Sequence, residues 1–172
     1  MVKNPSSLLA PALAMSGIVL LSNILVQYPI NPWLTWGAFS YPVAYFVTDV
    51  CNRAAGPSLA RRVAWIGFGV GLILSAILAP PRIAAASGTA FIVSQLLDVA
   101  IFNRLRAASW WKAPFFGSAT ASIIDTALFF SLAFAGTGES WLHLATGDLA
   151  VKLFMALALL PPYRLLVKRL TA

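Results

Sequence analysis

Six apolar runs fill most of this chain, at about residues 8–27, 33–51, 63–79, 83–102, 113–135 and 148–167, and only short connectors separate them. At a rise of 1.5 Å per residue, about 20 helical residues cross the roughly 30 Å of bilayer hydrocarbon, so each run reaches or nearly reaches across. Hydrocarbon leaves a backbone no partner but itself, so runs of this kind are read as helices. The expectation is an all-α polytopic membrane protein, a six-transmembrane-helix bundle forming a single membrane domain over residues 1–172. With 60% hydrophobic and 10% charged residues the chain departs far from the roughly 25% charge of soluble domains. The first run follows Lys3 but is too long for a signal-peptide core and lacks a cleavage-type exit.

The connectors carry turn chemistry: Tyr28-Pro29-Ile30-Asn31-Pro32, Gly56-Pro57, Pro80-Pro81 and Gly136-Thr137-Gly138-Glu139. Basic residues gather on alternate sides. With the N-terminus inside, ten of the twelve fall on cytoplasmic segments: Lys3, Arg53, Arg61, Arg62, Arg104, Arg106, Lys112, Arg164, Lys168 and Arg169. Only Arg82 falls outside, and Lys152 lies within the last run. The positive-inside rule therefore predicts both termini in the cytoplasm, and it accounts for the net charge of +7 without a nucleic-acid partner. Trp33, Trp36, Trp110, Trp111 and Trp141 fall at the expected water boundaries, as an interfacial belt would.

Acidic residues carry the functional signal. Four of the five, Asp49, Asp98, Asp125 and Asp148, lie within or at the ends of apolar runs. A carboxylate on a spanning helix costs about 2.5–3.5 kcal/mol on insertion scales and usually faces protein or a wet cavity. On the fourth run Ser94, Gln95 and Asp98 share a helix face. Tyr41, Tyr45, Asp49 and Asn52 form a stripe on the second, Ser118, Ser122 and Asp125 on the fifth, and Ser16, Asn23 and Gln27 on the first. Asp148 and Lys152 sit one turn apart on the sixth. Such stripes are expected to face one another around a solute site. A purely structural reading would pair Asp49 with Arg53, Asp98 with Arg104 and Asp148 with Lys152. Asp125 has no basic neighbour in sequence.

The segment from Gln95 to Phe102 echoes that from Ser122 to Phe129, with Asp, Ala and Phe in register, which hints at an internal repeat. Gly67, Gly71 and Ser75 make a small-residue face for close helix packing, as do Ala10 and Ala14. Pro42 should bend the second helix before its polar stripe. The lone Cys51 gives no disulfide framework, and His143 reads as a loop residue. The sequence contains no phosphate-binding loop, metal-ligand pair at helical spacing or serine–histidine–acid set, so neither an enzyme nor a cofactor is expected.

Ser40-Tyr41-Pro42 through Thr48-Asp49-Val50-Cys51-Asn52-Arg53, then Ser94-Gln95-Leu96-Leu97-Asp98-Val99 with Phe102, then Asp125-Thr126 with Phe129, together resemble the bacterial queuosine-precursor transporter family of the vitamin-uptake-transporter group. The resemblance spans about Trp36 to Phe134, and beyond that rests on topology and Lys152. One position departs, since Ser122 stands where such proteins are expected to have glutamine. The resemblance implies import of 7-cyano- and 7-aminomethyl-7-deazaguanine across the bacterial cytoplasmic (inner) membrane. It implies a binding set drawn from Asn23, Gln27, Tyr41, Tyr45, Asp49, Asn52, Ser94, Gln95, Asp98, Ser122, Asp125 and Lys152. In it Asp98 or Asp125 would take the amine edge, Gln95, Asn23 or Lys152 the carbonyl, and Tyr41, Tyr45 or Phe91 the flat ring. Two other readings compete: a substrate-capture subunit docking on an ATP-driven module through Ala10 and Ala14, and an intramembrane enzyme or assembly factor. A homodimer through the Gly67 face is a weaker expectation than packing on a neighbouring helix.

Overall fold

The structure, a computed structural model, describes residues 6–25, 28–138 and 141–171, so Lys3, Gln27 and Glu139 lie outside it. Among the described residues the chain runs α1 (Ser6–Leu25), β1 (Pro29–Asn31), β2 (Leu34–Thr35), α2 (Gly37–Ser40), α3 (Pro42–Ala55), α4 (Pro57–Leu78), α5 (Pro81–Leu105), α6 (Lys112–Phe134), α7 (Leu142–Ala158) and α8 (Leu160–Thr171). Prolines open α3, α4 and α5, where their fixed φ suits a first turn and their missing N–H costs nothing. Gly56, at φ 90°, takes the backbone from the end of α3 into α4.

Four helices, α1, α4, α5 and α6, are each long and apolar enough to cross a membrane. The second and sixth apolar runs are not the single rods expected of them. Pro42 divides the second into α2 and α3, and α3 with its 14 residues spans only about 21 Å by itself. The sixth begins earlier than expected, at Leu142, and bends by 41° at Leu159, where Pro161 and Pro162 supply no amide hydrogens to the turn before them. The Tyr28–Pro32 turn is part of a small hairpin, with Asn31 opposite Leu34 and the Asn31 Oδ1 accepting from Trp33 N at 2.8 Å.

Packing is inverted relative to a soluble protein. Leu13, Ile73, Ile77 and Phe154 are each more than 60% exposed, as a lipid-facing surface requires, while Asp98, Asn52, Thr48 and Ser94 are fully enclosed. An apolar core of Met15, Val19, Ala44, Val63, Phe91 and Val99 joins α1, α3, α4 and α5. Gly67 and Gly71 let α1 come close to α4. A Cβ at Gly67 would lie 2.6 Å from Met15 Cγ and 3.2 Å from Phe91 Cζ, and one at Gly71 3.1 Å from Val19 Cγ1. Ala10 and Ala14 are exposed and take no part in this contact. Gly67→Val is therefore expected to destabilise the protein by about 1–3 kcal/mol through overpacking. Gly69→Ala, whose added methyl meets nothing within 4 Å, should be neutral or stabilising. Thermal unfolding of both in detergent checks this, and equal melting would contradict it.

Arg82, the one basic residue on the expected outer side, has a structural task. It donates to the carbonyls of Leu132 (2.9 Å) and Ala135 (2.5 Å), which are left open at the end of α6. At the other end Arg53 and Arg106 donate reciprocally to each other's carbonyls, at 2.9 and 2.7 Å, closing α3 against α5. Arg53 also donates to the Tyr163 hydroxyl on α8 at 3.1 Å and lies over the Phe102 ring. The expected pairing of Asp49 with Arg53 is replaced by these contacts.

Candidate substrate-binding site

A cavity of about 210 Å3 opens between α1, α4, α5, α6 and α7 at the end remote from the Arg53–Arg106 contact. Thr35 of the hairpin and Leu78, Ala79 and Pro80 of the α4–α5 connection line its mouth. Its inner wall holds Asp125, Asp148 and Lys152. Asp125 falls near the middle of α6, and Asp148 and Lys152 stand one turn apart on α7, so close packing of α6 on α7 brings all three together. Lys152 Nζ lies 2.7 Å from Asp125 Oδ2 and 2.5 Å from Asp148 Oδ2, with Asp148 the more accessible carboxylate. Ser94 donates to Asp125 Oδ1 (3.2 Å) and Thr126 to Asp148 Oδ2 (2.8 Å). One ammonium thus serves two carboxylates, leaving a net negative wall. Tyr41 faces the same ammonium with its ring, the centroid 5.9 Å away, and packs edge-on against Phe91.

Four of the residues singled out in the sequence line this cavity: Asn23, Tyr41, Asp125 and Lys152. Asn23 accepts from Ser75 at 3.2 Å, a contact between α1 and α4 at the wall. Tyr45, Asp49, Ser122 and Lys152, with Ser118, border a separate narrow crevice of about 10 Å3 on the far side of the lysine. There the buried Ser122 hydroxyl makes no hydrogen bond. Asn52, Ser94, Gln95 and Asp98 border neither space, though Ser94 touches the cavity indirectly through Asp125. Asp98 is accordingly not in the cavity wall. Ser22, Ser87, Phe129 and Asp148 line the cavity without having been singled out as binding residues. Asp148 was visible as an acid at the start of an apolar run, but its spacing to Lys152 suggested only a local pair. Phe129 was quoted for the family resemblance but given no binding role, and nothing in the sequence marks Ser22 or Ser87.

A family model described as "Putative vitamin uptake transporter" matches residues 35–80 and 74–166. The chain is 34% identical over 185 residues to "Queuosine precursor transporter" of Escherichia coli (strain K12), covering 89% of this chain and 83% of that one. It is 31% identical to "Probable queuosine precursor transporter" of Haemophilus influenzae, covering 84% and 79%, and 29% identical to the Bacillus subtilis protein of the same name, covering 74% and 69%. No solved structure matches it. With its helical spans, its enclosed acids and these similarities along most of its length, the chain belongs to the vitamin uptake transporter family.

Proposed function

We propose that this protein imports queuosine precursors, 7-cyano- and 7-aminomethyl-7-deazaguanine, and releases them unchanged into the cytoplasm. One observation carries the reading: in a chain similar to queuosine precursor transporters, two carboxylates and an ammonium line a cavity beside an aromatic ring. A guanine-like edge presents N1–H and a 2-amino group side by side, which a carboxylate accepts at two points, while its O6 needs a donor. Asp125 takes the amine edge, Lys152 turns to O6, and Asp148 keeps the ammonium charge matched. Tyr41 and Phe129 border the ring.

The second and sixth runs complete six crossings as broken spans, α2 with α3 and α7 with α8. The protein resides in the inner membrane with both termini cytoplasmic, a placement supported by Arg53, Arg106 and Arg164 lying at the end opposite the cavity mouth. The cavity then faces outward, ready to load, and rocking of the helices delivers the cargo inward. Proteoliposomes holding the purified protein are expected to take up labelled 7-cyano-7-deazaguanine in preference to guanine. Uptake no faster than in empty liposomes would overturn the reading.

A further inference from the structure

Below the cavity, Asp49 on α3 and Asp98 on α5 are 2% and 0% exposed, and the same neighbours meet both: Thr48, next to Asp49, reaches Asp98, while Gly117 and Ser118, adjacent on α6, lie against Asp98 and Asp49 in turn. Their surroundings are short of hydrogens. Ser118 offers one to Asp49 Oδ2 at 3.3 Å. The single Thr48 hydroxyl hydrogen is shared among Asp98 Oδ2 (3.3 Å), Gln95 Oε1 (3.1 Å) and the carbonyls of Ala44 and Tyr45. Oδ1 of Asp49 and Oδ1 of Asp98 accept from no other group. Asn52, one turn beyond Asp49, donates one of its two amide hydrogens to the carbonyl of Val99, next to Asp98, and its own enclosed Oδ1 has no donor.

Among the described residues no cation forms a salt bridge with either acid, and Arg53 acts on Asp49 only through space. Arg53 and Arg106 are held by each other's carbonyls and, for Arg53, by Tyr163 on α8. Asp125 on α6 and Asp148 and Lys152 on α7 close on one another. Tyr45, on α3 itself, is the remaining titratable group beside the pair, and Arg61 and Arg62 on α4 point outward. Two neighbouring enclosed carboxylates with no salt bridge among the described residues are costly to keep both ionised, whereas one proton on either, donated to the other, satisfies both.

We propose that Asp49 and Asp98 share a proton and that its passage inward is coupled to that of the substrate, an inference resting on the importer reading. Two features link the pair to the cavity. The second apolar run bears Tyr41 in the cavity wall and, two turns on, Asp49, so a shift of α3 on loading moves Asp49 relative to Asp98. The crevice bordered by Lys152, Ser122, Ser118 and Asp49, with room for about a single water, leads from the charged trio towards the pair. With the proton in place the carboxyls hold α3 to α5. When that contact parts towards the cytoplasm, the proton leaves to water and the two charges repel. The proton that enters from outside is the one released inside, so charge and atoms balance.

The test uses proteoliposomes loaded with a pH-sensitive dye, with 7-cyano-7-deazaguanine added outside and sodium absent. Wild type is expected to acidify the lumen as it takes up substrate. Asp98→Asn and Asp49→Asn are expected to bind the compound with wild-type affinity, which also reports that they are folded, yet to give no acidification. Wild-type uptake without acidification, uptake that requires a sodium gradient, or acidification that persists in both variants would each overturn the coupling while leaving the importer reading intact. Wild type that neither binds nor takes up the compound would overturn both. The wild-type measurement decides the matter even if both variants fail to fold.

Discussion

Lys152→Met is expected to lower stability by about 3–5 kcal/mol, the cost of removing one partner from an enclosed ion pair. The lysine is 4% exposed and lies against both Asp125 and Asp148, so its loss leaves two carboxylates facing each other with only Ser94, Thr126 and water to compensate. Methionine fills similar volume, so the penalty is electrostatic and not a cavity effect. The double variant Asp125→Asn/Lys152→Met removes one unmatched charge along with the lysine. It should regain much of the stability while transporting nothing, because both the donor for O6 and the acceptor for the amine edge are gone. Denaturant titration in detergent beside an uptake assay separates the two effects. A Lys152→Met protein within about 1 kcal/mol of wild type would mean that the trio is far better hydrated than its burial implies.

Asp125→Asn is expected to weaken substrate binding by about 10–100-fold, since a hydrogen bond to a charged group contributes about 1.5–3 kcal/mol and the asparagine amide turns one acceptor into a donor facing a donor. The same change leaves Lys152 paired with Asp148, so the fold should survive it. This contrast with Lys152→Met follows from the geometry: the lysine holds two partners, while Asp125 is one of two acids sharing a single cation.

Long-range pairing is where the sequence was least informative. The apolar runs revealed α1, α4, α5 and α6 to within a few residues at most ends, because hydrocarbon demands continuous apolar helix and tolerates little else. Pro42 announced a bend, and only Tyr41, itself in helical conformation, stands between α2 and α3. Pro161 and Pro162 were hidden by the high hydropathy around them, which averages over a break in the backbone. Asp125 stood without a basic neighbour in its own run, and its partner Lys152 is 27 residues away on α7. Spacing along one helix suggested that Asp148 belonged to Lys152 alone, and no local pattern reveals that a neighbouring helix delivers a second carboxylate to the same ammonium. In the same way Arg53 lies one turn from Asp49, yet the open carbonyl at the end of α5 and the Tyr163 hydroxyl claim it. Helical spacing says which residues share a face. Which face meets which is decided by packing such as that at Gly117, where an added Cβ would lie 2.6 Å from Asp98 Oδ1.

Cargo recognition turns on the Asp125 carboxylate, which reads the amine edge of a guanine-like base. The most direct test compares the binding of 7-cyano-7-deazaguanine with that of its analogue lacking the 2-amino group, in wild type and in Asp125→Asn. Wild type should favour the parent compound by about 10–100-fold, the equivalent of one charge-assisted hydrogen bond, and Asp125→Asn should lose most of that preference. An undiminished preference in Asp125→Asn would contradict the account.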